Sequence, residues 1–251
     1  MHFNLKYIFA AAISLLLSSV ASSQSDLSKS TGSFEQVAEL SERAYGLDQQ
    51  LVNGVFFEDV YRGAKGHPYL FEDLFVMGSV VFRNKPYEKV LMKYDLYAQQ
   101  LLISHPHEGF QMTSILTDDF VSSFEIYGMD FRKLSFSEGS PTYYQVISEK
   151  ELLSCYVQWV KVRNETINEN DSRQYLFAGE KRRLYLYMDG EIQRFLNNAT
   201  FSRVFTGDAR RLVKRYMRTN KLKINKATDE ELRQLIDECN SIVLTTKVGI
   251  E

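Results

Sequence analysis

The sequence predicts an α+β protein that is built mainly on an antiparallel β-sheet or a partly closed barrel. Short β-like runs separated by turn residues fill residues 51–195, whereas helical periodicity dominates after residue 200. Aromatic residues make up 13% of the 251 residues, and flat side chains of this kind pack well on pleated backbone. We therefore expect a β-rich domain over residues 33–200, preceded by a short helix and followed by two amphipathic helices.

The N-terminus has the order of a secretory signal peptide. His2 and Lys6 precede an apolar stretch over residues 8–20, which is followed by the small residues Ala21-Ser22-Ser23. The stretch is shorter than the roughly 20 residues that span a bilayer, although a retained anchor helix is the alternative. We expect residues 1–23 to be removed, residues 24–32 to form a flexible leader, and the protein to be exported to the periplasm or the cell surface.

A helix is predicted near the start of the mature chain. Ser33 and Gln36 have the spacing of a capping box, in which each side chain satisfies a backbone N–H of the first helical turn. Apolar side chains then share one face until Gly46, so we predict a helix over residues 34–45.

Turn residues divide the middle of the chain into hairpins. Asn53-Gly54 and Asp189-Gly190 are both typical of two-residue turns, and Asn84-Lys85-Pro86 indicates a further turn. Period-two alternation places four residues on one face of a strand that we expect to be buried. These residues are Leu153, Cys155, Val157 and Trp159.

The C-terminal segment, residues 201–251, predicts two helices that pack on the sheet. Apolar residues recur at helical spacing from Ala209 to Met217, and basic residues occupy the opposite face. Thr228 and Glu231 form a second capping box before the apolar stripe of the last helix. This stripe consists of Leu232, Leu235, Ile236, Cys239 and Ile242.

The basic face is the strongest candidate for a contact surface. Residues 203–226 contain nine basic residues and one acid, Asp208, in a chain whose formal net charge is −2. Such a surface suits anionic lipid, polysaccharide or a protein partner, while the overall negative charge argues against nucleic acid. The alternative is a solvated face that is neutralised by Asp229, Glu230, Glu231, Asp237 and Glu238. The partner-binding residues that we predict are Arg210, Arg211, Lys214, Arg215 and Arg218.

Motifs for catalysis or for metal binding are weak. His105 and His107 would share one side of an extended segment, where His67 and Glu108 could complete a metal site, but polar loop residues explain the same pattern. The acid pairs Glu72-Asp73 and Asp118-Asp119 are typical of solvated turns. Because the sequence lacks GxSxG, GxxxxGK[ST] and GxGxxG, it assigns no catalytic, cofactor-binding or metal residue and leaves enzymatic activity open.

The two cysteines allow either a disulfide or two buried thiols. Cys155 and Cys239 both lie on predicted apolar faces, which could meet where the last helix covers the sheet. A chain of this length does not need a cross-link for stability, so we expect free thiols.

Several short runs together resemble a group of uncharacterised exported proteins of Gram-negative bacteria. These runs are Leu51-Val52-Asn53-Gly54, His67-Pro68, Gly78-Ser79-Val80-Val81-Phe82, Lys93-Tyr94-Asp95 and Cys239-Asn240. The likeness covers roughly residues 34–242 and implies export and a bacterial source. The group has no assigned activity, so the resemblance transfers no catalytic residue.

We therefore expect an exported, non-catalytic binding or scaffolding protein of the periplasm or cell surface. The alternative is a hydrolase for glycan or peptide whose site assembles only in the fold, for which a pocket with a histidine beside a carboxylate would speak. A barrel around a small apolar ligand is a third possibility.

Overall fold

The computed structural model describes residues 51, 54–136, 140–167 and 173–248. The predicted signal peptide at residues 1–23, the flexible leader at 24–32 and the helix at 34–45 lie outside the described residues. They stay predictions from the sequence.

Thirteen β-strands lie in the described part of the chain. They are β1 (Val55–Phe56), β2 (Val76–Phe82), β3 (Lys85–Asp95), β4 (Gln100–His107), β5 (Phe110–Ile115), β6 (Val121–Ile126), β7 (Met129–Leu134), β8 (Thr142–Glu149), β9 (Leu153–Val160), β10 (Arg163–Ile167), β11 (Arg173–Phe177), β12 (Lys181–Met188) and β13 (Glu191–Phe195). Three α-helices follow the last strand, namely α1 (Asn198–Arg203), α2 (Gly207–Thr219) and α3 (Asp229–Val248). The predicted α+β class with a mainly antiparallel sheet is confirmed.

Eleven strands form one antiparallel sheet in the order β1-β5-β4-β3-β2-β6-β7-β8-β9-β12-β13, and β10 pairs with β11 in a separate hairpin. After the β2–β5 meander, residues 116–120 return the chain to place β6 beside β2, as in a Greek key. The strand order begins at β1 and ends at β13 without pairing these two strands. The sheet of the described residues is therefore open, and the expected partly closed barrel is replaced by a curled sheet.

The curl is strong enough to bring distant strands together. In a flat sheet β3 and β8 would lie four strands, or about 19 Å, apart. The ring of Tyr94 in β3 nevertheless lies 5.9 Å from the ring of Tyr143 in β8. Gln99 joins the same regions, because it accepts hydrogen bonds from Tyr94 and from Thr142 at 2.8 and 3.0 Å and donates one to the Trp159 carbonyl at 3.0 Å.

Four aromatic rings fill the inner face of the curl. Phe124 stacks on Phe131 at 4.7 Å, and Tyr94 meets the edges of both rings at 5.1 and 5.4 Å. Tyr143 completes the cluster, and all four side chains are buried. Since protein side chains fill this space, the third possibility, a barrel around an apolar ligand, is not supported.

Helix α3 covers the inner face of β8 and β9, while α2 packs against α1 and α3. All five residues of the predicted α3 stripe, Leu232, Leu235, Ile236, Cys239 and Ile242, are buried. The predicted capping box is present, since Glu231 N donates to Thr228 Oγ1 at 3.2 Å and Thr228 N donates to Glu231 at 2.8 Å. The C-terminal segment therefore lies on the sheet through α3.

A polar network fixes the start of α3 on the sheet. Trp159 Nε1 donates to Gln145 Oε1 at 2.7 Å, and Gln145 Nε2 donates to Asp229 Oδ2 at 2.6 Å. Arg182 of β12 donates to the other oxygen of Asp229. Three strands thus hold one carboxylate at the first residue of the helix, where negative charge complements the helix dipole.

Cys155 in β9 and Cys239 in α3 are free thiols, as expected from the sequence. Both are completely buried. Burial raises the pKa of Cys155 to about 12 and raises the pKa of Cys239 as well.

The turn predictions have mixed outcomes. Asp189-Gly190 forms the expected two-residue turn, with φ angles of 52° and 86° and Met188 paired with Glu191. The second turn consists of Arg83 and Asn84 instead of residues 84–86, because Phe82 pairs with Lys85.

The predicted hairpin at Asn53-Gly54 is wrong, because a strand follows the turn but the residue before it is not in a strand. Val55–Phe56 pairs with β5, and Leu51 is helical. Gly54 is required for another reason: a Cβ there would come within 2.3 Å of the Ile115 carbonyl oxygen.

We expect Phe131→Ala to lower the free energy of unfolding by about 3–5 kcal/mol, because it removes a buried ring from the aromatic cluster. Urea unfolding measures this change. Phe110→Ala is the matched control, since that ring is 74% exposed, and it should shift the value by less than about 0.5 kcal/mol. Equal effects of the two changes would contradict this account of the curl.

Candidate functional site

Helices α1 and α2 and the loop after α2 enclose a concavity of about 650 Å³, which we call the basic groove. Six basic side chains line it, and its apolar floor includes Met217 and Leu222. The basic residues are Arg203, Arg210, Lys214, Arg218, Lys221 and Lys223. No carboxylate lines the groove, and among the described residues none of the six forms an ion pair.

Asn198 holds the two sides of the groove together. Its amide nitrogen donates to the Leu222 carbonyl at 2.7 Å, and its amide oxygen accepts from Ile224 N at 3.0 Å. The loop after α2 is thereby fixed to the first turn of α1. The cations of that loop consequently face the groove from a backbone that is held in place.

Helix α2 ends in a Schellman motif with an unusual residue. Leu222 N donates to the Met217 carbonyl at 2.9 Å, and Lys221 N donates to the Arg218 carbonyl at 3.1 Å. Lys221 therefore occupies the position that glycine usually takes, with a φ of 51°. This left-handed conformation costs a residue with a Cβ about 1–2 kcal/mol.

Four of the five acidic residues of α3 that the sequence suggested as a neutralising set have other partners, and the fifth lies in a different groove. Asp229 pairs with Arg182, Glu230 with Arg233 and Asp237 with Lys150. Glu231 caps the helix by accepting from Thr228, and Glu238 lines the separate groove between α2 and α3. The basic groove is therefore not neutralised by these carboxylates.

The structure divides the five predicted basic residues of α2 into two sets. Arg210, Lys214 and Arg218 line the basic groove. Arg211 instead pairs with Asp208 at 3.1 Å, and Arg215 lines the α2–α3 groove that also contains Glu238. Residues four apart lie on the same side of a helix, so the two sets form separate stripes.

A second concavity of about 430 Å³, which we call the polar cleft, lies where residues 57–75 pass over β3, β4 and β5. Lys93 stands at its centre, with its ammonium 4.7 Å from the ring of Tyr69 and 4.5 Å from the ring of Phe75. The same ammonium donates to Asp73 at 2.5 Å. Asp73 lines the cleft and its neighbour Glu72 does not, so this predicted acid pair is divided.

His67 also lines the polar cleft and stacks on Tyr69 with ring centroids 6.0 Å apart. Its Nδ1 is buried and has no hydrogen-bond partner among the described residues. Burial, reinforced by the charge of Lys161, lowers the pKa of His67 below its usual value of 6.5. The imidazole is therefore neutral at neutral pH and able to accept a proton.

Two buried charged residues support the wall of the polar cleft. Lys161, which follows β9, donates to the carbonyls of His67 and Tyr69 at 3.2 and 2.7 Å and lies 3.5 Å from Glu180. Asp95 at the end of β3 is completely buried. It accepts from Tyr61 Oη at 2.9 Å and from the backbone N–H groups of Tyr97 and Ala98 at 2.8 Å each.

Sequence reasoning did not identify Asp95, Lys93 or Lys161. Lys161 directly continues the apolar alternation of residues 153–160, and a charged residue at the end of such a run is the signal that could have found it. Burial lowers the pKa of Lys161 and raises the pKa of Asp95.

The histidines that the sequence grouped as possible metal ligands are separated. Lys93 and its cross-strand partner Leu102 line the polar cleft with His67, whereas His105 lies three positions further along β4. Because side chains alternate along a strand, His105 faces the opposite side of the sheet. There its Nε2 lies 2.9 Å from Ser114 Oγ, and His107 is exposed. Within the described ranges, no group of three His, Cys, Asp or Glu could hold a metal ion.

The other predicted acid pair serves the fold. Asp118 accepts from Tyr143 Oη at 2.5 Å and from Lys133 Nζ at 2.6 Å, so it links the β5–β6 connection to β7 and β8. Asp119 is exposed. This pair does not form a two-carboxylate site.

We expect stability at Asp95 to depend on pH with a defined sign. Burial raises its folded pKa above the usual 3.8, so the folded state binds the proton more tightly than the unfolded state. The unfolding free energy of the wild type relative to Asp95→Asn should therefore fall as pH rises from 3.8 through the raised pKa. Urea unfolding over this range measures the difference, and Asp119→Asn controls for the loss of one charge. A relative gain with rising pH would show that the hydrogen bonds outweigh burial.

Comparison with known proteins does not supply a function. No protein-family model, curated protein or solved structure matches this chain. In the part of the chain that the structure describes, no helix is both long and apolar enough to cross a membrane. The resemblance to uncharacterised exported proteins stays a prediction, and the function has to be argued from the geometry.

Proposed function

We propose that this protein is an exported binding component that recognises an anionic partner through the basic groove. The partner belongs to the periplasm or the cell surface in this proposal, as the predicted signal peptide implies. In the polar cleft Lys93 is paired with Asp73, whereas among the described residues none of the six cations of the basic groove forms an ion pair.

The observation that carries the proposal is the uncompensated charge. Six cations line one concavity, while the nearby acids of α3 are engaged with Arg182, Arg233, Lys150 and the helix cap. Keeping like charges together without counter-charges costs stability through self-repulsion. An anionic ligand would relieve this repulsion, which favours a binding role over a merely solvated face.

We expect Arg210→Glu/Lys214→Glu to lose at least about tenfold in affinity for immobilised dextran sulfate, since two cations of the groove become anions. Retention at about 0.15 M salt measures this, because more distant surface charges are largely screened there. Arg211→Glu/Arg215→Glu is the matched control, with the same charge change on the same helix but outside the groove. The proposal fails if the two variants lose binding equally, or if the wild type is not retained.

The hydrolase alternative has one observation in its favour, namely His67 in a cleft beside Asp73. Asp73 is held by Lys93, however, and the two carboxylates that a glycosidase needs across a cleft are not assembled there. His67 would have to act as a single general base, which is a weaker arrangement.

Incubation with purified cell-wall glycan and with casein tests this alternative. Under the binding proposal we expect no turnover above that of the His67→Gln variant. Cleavage by the wild type that His67→Gln abolishes at an unchanged unfolding midpoint would establish the hydrolase instead.

A further inference from the structure

The basic groove has a charge density that indicates its ligand class. Three arginines and three lysines surround about 650 Å³, which is the size of a small-molecule site and holds only a few residues of any polymer. A phosphate group carries about −1.5 to −2 at pH 7, so about three of them match six cations. Single carboxylates on a polymer would not bring enough charge into this space.

The side chains that line the groove also favour a phosphate ligand. Arginine presents a planar fork that pairs with two oxygens of a phosphate, and Arg203, Arg210 and Arg218 contribute three such groups. Arg210 Nε is buried, and no described group accepts a hydrogen bond from it. The Arg210 guanidinium therefore has no partner among the described residues that a phosphate bound in the groove would have to displace.

Lys221 provides an independent observation. Its backbone is in the left-handed region at the position where glycine or asparagine would end the helix without strain. Complementing the helix dipole does not require a lysine there, because Arg218 already lies in the last turn of α2. The side chain of Lys221 lines the groove, so the helix ends on a residue that adds a cation to this surface at the cost of backbone strain.

We propose that the basic groove binds a compact ligand that carries two or more phosphate groups, either free or as the headgroup of a lipid. This inference rests on the proposed function and names its ligand class. Leu222 on the floor of the groove suits the carbon body of such a ligand, while the cations reach its phosphates.

Two other anionic partners fit the groove less well. Single-stranded nucleic acid is usually held by aromatic side chains on which bases stack, and the groove lining contains no aromatic residue. Insertion of α2 into a membrane would require a free apolar face, whereas Val213 and Met217 of α2 are buried in the protein.

The test uses titration calorimetry of the full exported chain with inositol hexakisphosphate, and unphosphorylated inositol as the ligand control. We expect saturable 1:1 binding that weakens at least about tenfold in Arg210→Glu/Lys214→Glu and stays within about twofold in Arg211→Glu/Arg215→Glu. Lys221→Gly should weaken binding about threefold or more and yet raise the thermal unfolding midpoint, because it removes the backbone strain together with the charge.

Further titrations distinguish failure of this inference from failure of the proposed function. Poly-glutamate and phosphatidylglycerol vesicles are titrated in parallel, and phosphatidylinositol phosphate vesicles present clustered phosphates on a lipid. Binding of inositol hexakisphosphate supports a free ligand, and binding only of the phosphorylated headgroup supports the lipid-borne form. If poly-glutamate or phosphatidylglycerol binds in a groove-dependent way, while inositol hexakisphosphate and phosphatidylinositol phosphate do not bind, the inference is overturned and the proposed function stands. Loss of all groove-dependent binding overturns both.

Discussion

The packing of aromatic rings from β3, β6, β7 and β8 against one another is the interaction on which the rest of the molecule depends. It bends the sheet until Tyr94 meets Tyr143 across four strands. The rings fill the inner face at these strands, and α3 packs mainly on β8 and β9. Helix α2 packs on α3 and α1, α1 contacts β13 through Phe201 and Phe195, and the concavity between α1 and α2 stays open on the surface.

The distribution of carboxylates follows from the same arrangement. Holding α3 on the curled sheet uses Asp229 with Gln145 and Arg182, and holding its outer side uses Asp237 with Lys150. Acids that are close to the basic residues in sequence are thereby committed to positions away from the groove. A chain with a nearly balanced formal charge can in this way present a locally cationic surface, which is the property that a selective anion-binding protein needs.

Local patterns predicted the local structure well. The α+β class, the turn at Asp189-Gly190, the buried face of β9 and the apolar stripe of α3 all depend on residues close in sequence, and all are confirmed. Other features depend on strand register and on the curl of the sheet, which no short stretch of sequence determines. They are the open edge of the sheet, the pairing of Val55–Phe56 with β5 and the separation of His67 from His105. The basic groove was predicted in part. Helical periodicity indicated a basic face on α2, but the packing of the helices places Arg211 and Arg215 outside the basic groove.

The two buried thiols have a consequence for how the molecule matures. Burial raises the pKa of Cys155 to about 12, so the thiol is protonated at neutral pH, whereas the thiolate is the form that reacts with oxidants. Cys239 shares this protection. Because both cysteines are free in the fold, the folded chain needs no disulfide and does not depend on whether its surroundings are reducing or oxidising.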